Sequence, residues 1–255
     1  MEKRNILLKL SYDGTCYHGF QRQKNGLTVQ EAVESAIKCI TGENVSLTGC
    51  GRTDAGVHAE VYYANFETSS AIACEKLPLA LNSQLCDDIR VISAQDVPLD
   101  FHARFSAIKK AYSYTIDNSA AANVFLRNYS WFYPKKLDVD KMRKAAEYII
   151  GERDFAAFMA AGSPVKSTVR NVEYINISQN KGIIEIEIMA NGFLYNMVRI
   201  IAGTLVYVGV GKIAPDDIPV ILASKSRVLA GKTAPAKGLR LKKVVYGQEI
   251  YTEEN

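Results

Sequence analysis

Apolar and polar residues alternate over residues 5–12, a pattern of period two that predicts a strand. The period then changes. Thr28-Val29-Gln30-Glu31 has the form of a capping box, and Val29, Ala32, Val33, Ala36, Ile37 and Ile40 follow on one helical face, with Gly42 as the stop. Residues 45–48 and 60–68 predict two further strands, the second rich in Tyr, Val and Phe. Residues 75–81 predict a short helix with Pro78 in its first turn, and 88–97 another strand. The order βαββαβ is that of a ferredoxin-like split unit.

The remainder repeats the theme. Residues 110–118 alternate as a strand through Tyr112, Tyr114 and Ile116, and 140–150 are helical with Met142, Ala145, Ala146, Ile149 and Ile150 on one face. Residues 168–179 and 182–190 predict a hairpin turning at Gln179-Asn180-Lys181-Gly182. A long apolar helix is predicted over 193–208, a shorter one over 216–224, and a closing strand over 239–246. The pattern therefore predicts an α+β protein of two related halves, 1–107 and 108–255, whose sheets form one continuous, mainly antiparallel sheet with a central cleft.

The 255 residues suffice for one large domain or two ordinary ones, and 48% hydrophobic with 23% charged residues is ordinary for a globular chain. The start, Met1-Glu2-Lys3-Arg4, runs straight into a strand with no signal peptide. The five cysteines form no CxxC pair and the three histidines lie far apart, so no zinc ligand set is expected, and the cysteines read as reduced, cytoplasmic thiols. The net charge of +4 is mild, but its distribution is uneven. Residues 218–248 hold no acid, yet contain Lys225, Arg227, Lys232, Lys237, Arg240, Lys242 and Lys243; residues 101–116 hold Arg104, Lys109 and Lys110, again without an acid. Segregated basic stretches suit a polyanion, since each neutralised phosphate releases counterions, and they suit a solvated face equally.

Three glycines within residues 49–56 mark a loop between two strands, and into it the chain places Arg52, Thr53 and Asp54, with His58 just beyond. A carboxylate on such a loop can act as nucleophile or general base when a cation keeps it ionised. On spacing alone a capping aspartate in a solvent loop fits as well. The 193–210 stretch supplies a second observation: Arg199 is its sole charge. A membrane span is rejected, because an arginine inside it costs about 2.5–3.5 kcal/mol and Asn196 and two glycines add to that. In a core helix, Arg199 needs a carboxylate or comparable partner, or else must reach the helix edge. Two nucleotide-binding decoys fail on residues. Ala230-Gly231-Lys232-Thr233 has Ser226 where a phosphate loop needs glycine, and Gly209-Val210-Gly211-Lys212 is followed by Ile213 instead of a hydroxyl residue.

The run Gly51-Arg52-Thr53-Asp54-Ala55-Gly56-Val57-His58-Ala59 resembles the signature loop of the TruA family of tRNA pseudouridine synthases. Four further blocks resemble that family in the same order. They are Tyr12-Asp13-Gly14-Thr15 with Gly19-Phe20-Gln21, the run Phe101-His102-Ala103-Arg104-Phe105-Ser106-Ala107, residues 191–199 (NGFLYNMVR), and Thr233-Ala234-Pro235-Ala236-Lys237-Gly238-Leu239. Together they cover nearly the whole chain.

The resemblance implies the pseudouridine synthase fold, two ferredoxin-like (RRM-like) halves with the catalytic loop in the first and a basic RNA-binding surface in the second. It implies an isomerase that converts uridines 38, 39 and 40 of the tRNA anticodon stem-loop, with Asp54 as the catalytic residue. Arg199 is implied as the guanidinium that keeps Asp54 an anion, Tyr112 as the tyrosine stacking on the target base, and Arg52 as a phosphate or base-extruding contact. Tyr114 is left as core, and His58 and His102 as structural. Neither metal nor organic cofactor nor nucleotide is implied; the partners are tRNA and a second copy of the chain. A non-catalytic RNA-binding protein and a phosphate-ester hydrolase using Asp54 are the rival functions. One departure stands out: Asn82-Ser83-Gln84-Leu85-Cys86 has Cys86 where the family usually has proline, which implies altered local backbone stiffness without loss of activity.

Overall fold

A computed structural model describes residues 3–162 and 165–247. The chain divides into two compact units: one runs to Ile108 and takes in the residues from Leu241 on, and the other is Lys109–Arg240. Mixed α and β elements with almost wholly antiparallel strand pairing make up both.

In the first unit the chain order is β1 (Arg4–Tyr12), α1 (Val29–Thr41), β2 (Thr48–Gly49), β3 (His58–Thr68), α2 (Leu77–Asn82) and β4 (Ile89–Val97). The strands lie β4-β1-β3, with β2 on β3, all antiparallel. Registers Ile6↔Phe66, Leu8↔Ala64 and Leu10↔Tyr62 set these side chains on one face, where all are buried with Val33, Ile37 and Leu81 of the helices. Helix α1 starts where the capping box puts it, the Thr28 hydroxyl accepting from the Glu31 N–H at 3.3 Å, and ends on Gly42 in the left-handed region. The strand expected at 45–48 shrinks to Thr48–Gly49. The reason lies in α1: the Leu47 N–H donates to Glu34 Oε1 (2.9 Å) and its carbonyl accepts from Gln30 Nε2 (3.0 Å), so its backbone is engaged by side chains instead of a strand.

On the opposite face two side-chain amides hold the segment that follows β4. Asn5 donates to the carbonyls of Pro98 and Phe101, and Asn65 accepts from the Ala103 N–H at 2.9 Å while donating to Asn5 Oδ1. Both are buried, where an unpaired amide would be costly, so the 98–103 segment is held firmly. His102 closes the next turn, its Nδ1 accepting from the Arg104 and Phe105 N–H groups. The Cys86 carbonyl accepts from the Ile89 N–H and from Arg90, so hydrogen bonds fix the turn there.

The second unit contains β5 (Lys109–Asp117), β6 (Trp131–Phe132), α3 (Val139–Glu147), β7 (Gly151–Asp154), β8 (Val169–Asn180), β9 (Ile183–Ala190), α4 (Met197–Gly209) and α5 (Ile218–Ser224). Its strands lie β5-β9-β8-β7, antiparallel, with β6 parallel to β5. The β8–β9 hairpin turns on Lys181 and Gly182, both at positive φ (46° and 81°), as a two-residue turn requires. Among the described residues no helix is long and apolar enough to cross a membrane; α4 is a core helix packed on α3 and β5. It begins four residues later than its hydropathy predicts. Asn196 adopts a left-handed conformation (φ 60°, ψ 9°), and the Met197 N–H bonds the Leu194 carbonyl in a turn, so 193–196 are not helical although 193 and 194 are apolar.

The last strand, β10 (Leu239–Val245), neighbours β3, and its residues from Leu241 belong to the first unit. The Ile108 N–H donates to the Val245 carbonyl, and the Tyr246 hydroxyl donates to Ala103 O.

Several cations of the acid-free 218–248 stretch find partners contributed from elsewhere in the second unit. Lys225 pairs with Asp154 (2.8 Å), Arg240 with Glu185 (2.8 Å), Lys232 lies 4.5 Å over the Trp131 ring, and Lys237 donates to the Arg127 carbonyl. The Lys225 ammonium, with the Thr168 hydroxyl and the Ala156 N–H, draws the Asp154 carboxyl down to about 2. A depressed carboxyl stabilises the fold above its unfolded value, and that contribution is lost as pH falls from about 4 toward 2. Asp154→Asn should therefore lower the unfolding free energy near neutrality, by less than about 1 kcal/mol since Lys225 is largely exposed. The gap from the unmodified protein should narrow below pH ~4, read from urea curves across that range.

Candidate active site

The Asp54 loop leaves β2, and a second stretch, residues 12–20, clamps it from beneath within the first unit. Asp54 carbonyl and Val57 N–H close a turn at 3.1 Å, and Gly56 supplies the positive φ (76°) that this turn needs at its third position. Gly14 passes so close that a Cβ there would lie 2.0 Å from the Val57 carbonyl oxygen. The Tyr12 hydroxyl and Thr53 Oγ1 are 2.9 Å apart, the Phe20 N–H donates to Thr53 O, and the Gly56 N–H donates to Tyr17 O. Tyr62 donates its hydroxyl to the Gly51 carbonyl and stacks on Phe20, ring centroids 4.3 Å apart. The clamp is itself anchored, since the Tyr17 hydroxyl donates to Asp88 at 2.6 Å and the Asp13 N–H to Asp88 O. His58 is buried and its Nδ1 accepts from the Gly14 N–H at 3.0 Å. Thr53 is thus buried, Asp54 half-buried and Arg52 exposed, on a loop fixed at both sides of the carboxylate.

In the second unit the signals gather around the start of α4. Arg199 is half-buried, in the first turn of the helix and not in its middle. Its Nε donates to the Ala234 carbonyl (2.8 Å), its Nη1 to Asn196 Oδ1 (2.7 Å), and the Ala234 N–H returns to the Arg199 carbonyl (3.0 Å). Tyr112 lies on β5, 8% exposed, its ring edge-on to Phe193 at 5.1 Å. Tyr114 is fully buried and donates to the Pro235 carbonyl at 2.8 Å; burial pushes its phenol up, against the opposing charge of Arg199. Blocks 191–199 and 233–239 are therefore one structural unit around Arg199. Asp54 and Arg52 stand together in the first unit, Tyr112 and Arg199 in the second. Among the described residues, no group of three or more His, Cys, Asp or Glu is arranged to hold a metal ion.

Sequence reasoning used Asn196 only as a polar residue counting against a membrane span, and passed over Ala234 as an individual residue. The signal available was their place inside two of the blocks; nothing in period or charge marks a residue that works through a left-handed backbone or a carbonyl.

A family model described as tRNA pseudouridine synthase matches residues 10–106 and 145–247, which takes in Arg52, Asp54, Asn196 and Arg199 and leaves Tyr112 outside. The chain belongs to the tRNA pseudouridine synthase family. The synthase is 54% identical over 243 residues to tRNA pseudouridine synthase A of a Thermoanaerobacter species, covering 95% of this chain and the whole of that one. The same-named proteins of Caldicellulosiruptor bescii and Acetivibrio thermocellus are 54% and 49% identical, over the same 95% of this chain and the full length of theirs. The synthase is thus of the TruA type, an isomerase that converts uridine to pseudouridine.

Proposed function

We propose that this synthase acts on uridines 38, 39 and 40 of the tRNA anticodon stem-loop, as a cytoplasmic homodimer, with Asp54 as its catalytic carboxylate. The observation that carries this is the loop itself: a single half-buried aspartate, held from both sides by hydrogen bonds and close backbone packing, inside a family-matched segment. Rigid placement of the reacting group is where much of an enzymatic rate enhancement originates.

The reaction exchanges one bond for another within a single nucleoside. The N1–C1′ bond breaks, the base turns, and C5 bonds to C1′ while the C5 proton is released to solvent and N1 takes one up. No atom or electron is left over, so no co-reactant is needed. Asp54 serves either by attacking the nucleoside or by abstracting a sugar proton. Both routes require the uridine out of its stack, at a cost of a few kcal/mol. Exposed Arg52 is suited to occupy the vacated space or grip a phosphate, and the role of Tyr112 in this reading is to stack on the extruded base, worth about 1–3 kcal/mol. The role of Arg199 in this reading is that of the cation that keeps the catalytic carboxylate ionised. The first unit is the catalytic half and the second the larger share of the RNA surface; with one site serving three neighbouring nucleotides, recognition rests on RNA shape and backbone more than on base identity.

The test is a map of pseudouridines in tRNA from a strain lacking its own enzyme and complemented by this chain. Restored pseudouridine at 38, 39 and 40 supports the reading; restoration at other positions, or none, overturns it.

A further inference from the structure

We propose that Asn196 is a positioning residue, which sets the orientation of the Arg199 guanidinium for the reaction; the inference rests on the role of Arg199 proposed above. Asn196 precedes α4, where an asparagine ordinarily has an extended backbone and caps the free N–H groups of the first turn. Here it does neither. Its backbone is left-handed, its side chain makes no cap, and its Oδ1 instead accepts from Arg199 Nη1 at 2.7 Å. Asparagine tolerates this conformation better than other side-chain-bearing residues, and left-handed non-glycine residues gather where function holds them. Only two other non-glycine residues among those described share a positive φ, Lys181 in the hairpin turn and Lys225 at the end of α5.

The second hold comes from Ala234. Its carbonyl takes the Arg199 Nε–H, and the segment that presents it is braced: Arg227 donates to Gly231 O and Thr233 Oγ1, and the Gly231 N–H donates to Thr204 Oγ1 on α4. A guanidinium is a planar fork, so fixing it at Nε and at Nη1 fixes its plane and the direction of its remaining donors. One hold, Ala234, is backbone and survives any side-chain change there. The other is the Asn196 amide, and removing it takes away the acceptor that holds Nη1.

Asn196→Gly removes the acceptor while keeping a residue at ease with φ of 60°. Single-turnover tritium release from tRNA carrying 5-³H-uridine, per folded enzyme counted by tRNA-binding titration, should fall about 10- to 100-fold, as for a misplaced catalytic group. The tRNA Kd should stay within about two-fold, because orientation of a reacting partner acts on the chemical step and not on binding. In an Arg199→Lys background, where no planar fork remains, the same replacement should cost less than about two-fold. Wild-type turnover by Asn196→Gly overturns the proposal, as does an undiminished loss in the Arg199→Lys background. If Arg199→Lys and Arg199→Ala both turn over at the wild-type rate, the role of Arg199 falls first; slow Arg199 variants beside a full-rate Asn196→Gly strike Asn196 alone.

Discussion

Asp54→Asn is expected to bind tRNA with unchanged affinity and to release no measurable tritium from 5-³H-uridine tRNA, a loss on the order of 10⁴-fold or more, the scale seen when an essential nucleophile or base is removed. The expectation comes from the way the loop is built. Its backbone contacts, from Asp54 O to Val57 N–H and from Thr53 O to Phe20 N–H, involve no atom of the Asp54 side chain. The amide leaves these backbone contacts in place, and what disappears is the negative charge that attacks or abstracts. Retained binding with lost turnover also excludes a purely RNA-binding role. Turnover within about ten-fold of the unmodified enzyme would remove Asp54 from the centre of the reaction.

Gly14→Ala should also be damaging, less than Asp54→Asn and by an opposite route, with the chemistry intact and the geometry lost. The added methyl meets the Val57 carbonyl oxygen, and the next closest atoms are also Val57 backbone, so no side chain can swing aside. The loop itself must move. Because the Val57 N–H closes the turn on the Asp54 carbonyl, and His58 follows with its ring on the Gly14 N–H, the displacement passes straight to the carboxylate. Overpacking of this kind costs about 1–3 kcal/mol of stability, and an ångström of misplacement can cost about 100-fold in rate. Thermal melts and single-turnover rates on one preparation check both, and a variant with unchanged melting and rate would show that the clamp does not fix the loop.

Much of this was legible from residues, and what was not has definable causes. Helix α1 follows from the Thr28 box and the Gly42 stop because capping is local chemistry. The β8–β9 turn likewise follows from Lys181-Gly182 between two alternating runs. The start of α4 was hidden because Phe193 and Leu194 continue the apolar run, while hydropathy carries no trace of the left-handed backbone at Asn196 that interrupts it. The basic stretch after residue 218 looked uncompensated in one dimension; Asp154 and Glu185, its ion-pair partners, arrive through tertiary folding. The same holds for the site. Asp54 and Arg199 are named through motif resemblance, whereas part of what holds their neighbourhood, such as the Ala234 carbonyl and the Phe20 N–H, is backbone that every residue possesses.

That the first unit takes its last strand from residues beyond Leu241 has a consequence for how the polypeptide comes off the ribosome. The nascent chain delivers β1 to β4 early, then about 130 residues of another unit before the segment that flanks β3 emerges, a long loop whose closure entropy nonetheless grows only logarithmically with length. The unit encoded in the middle is contiguous and can close while synthesis continues. The half bearing Asp54 is completed only after that middle unit has been made, when β10 becomes available to flank β3.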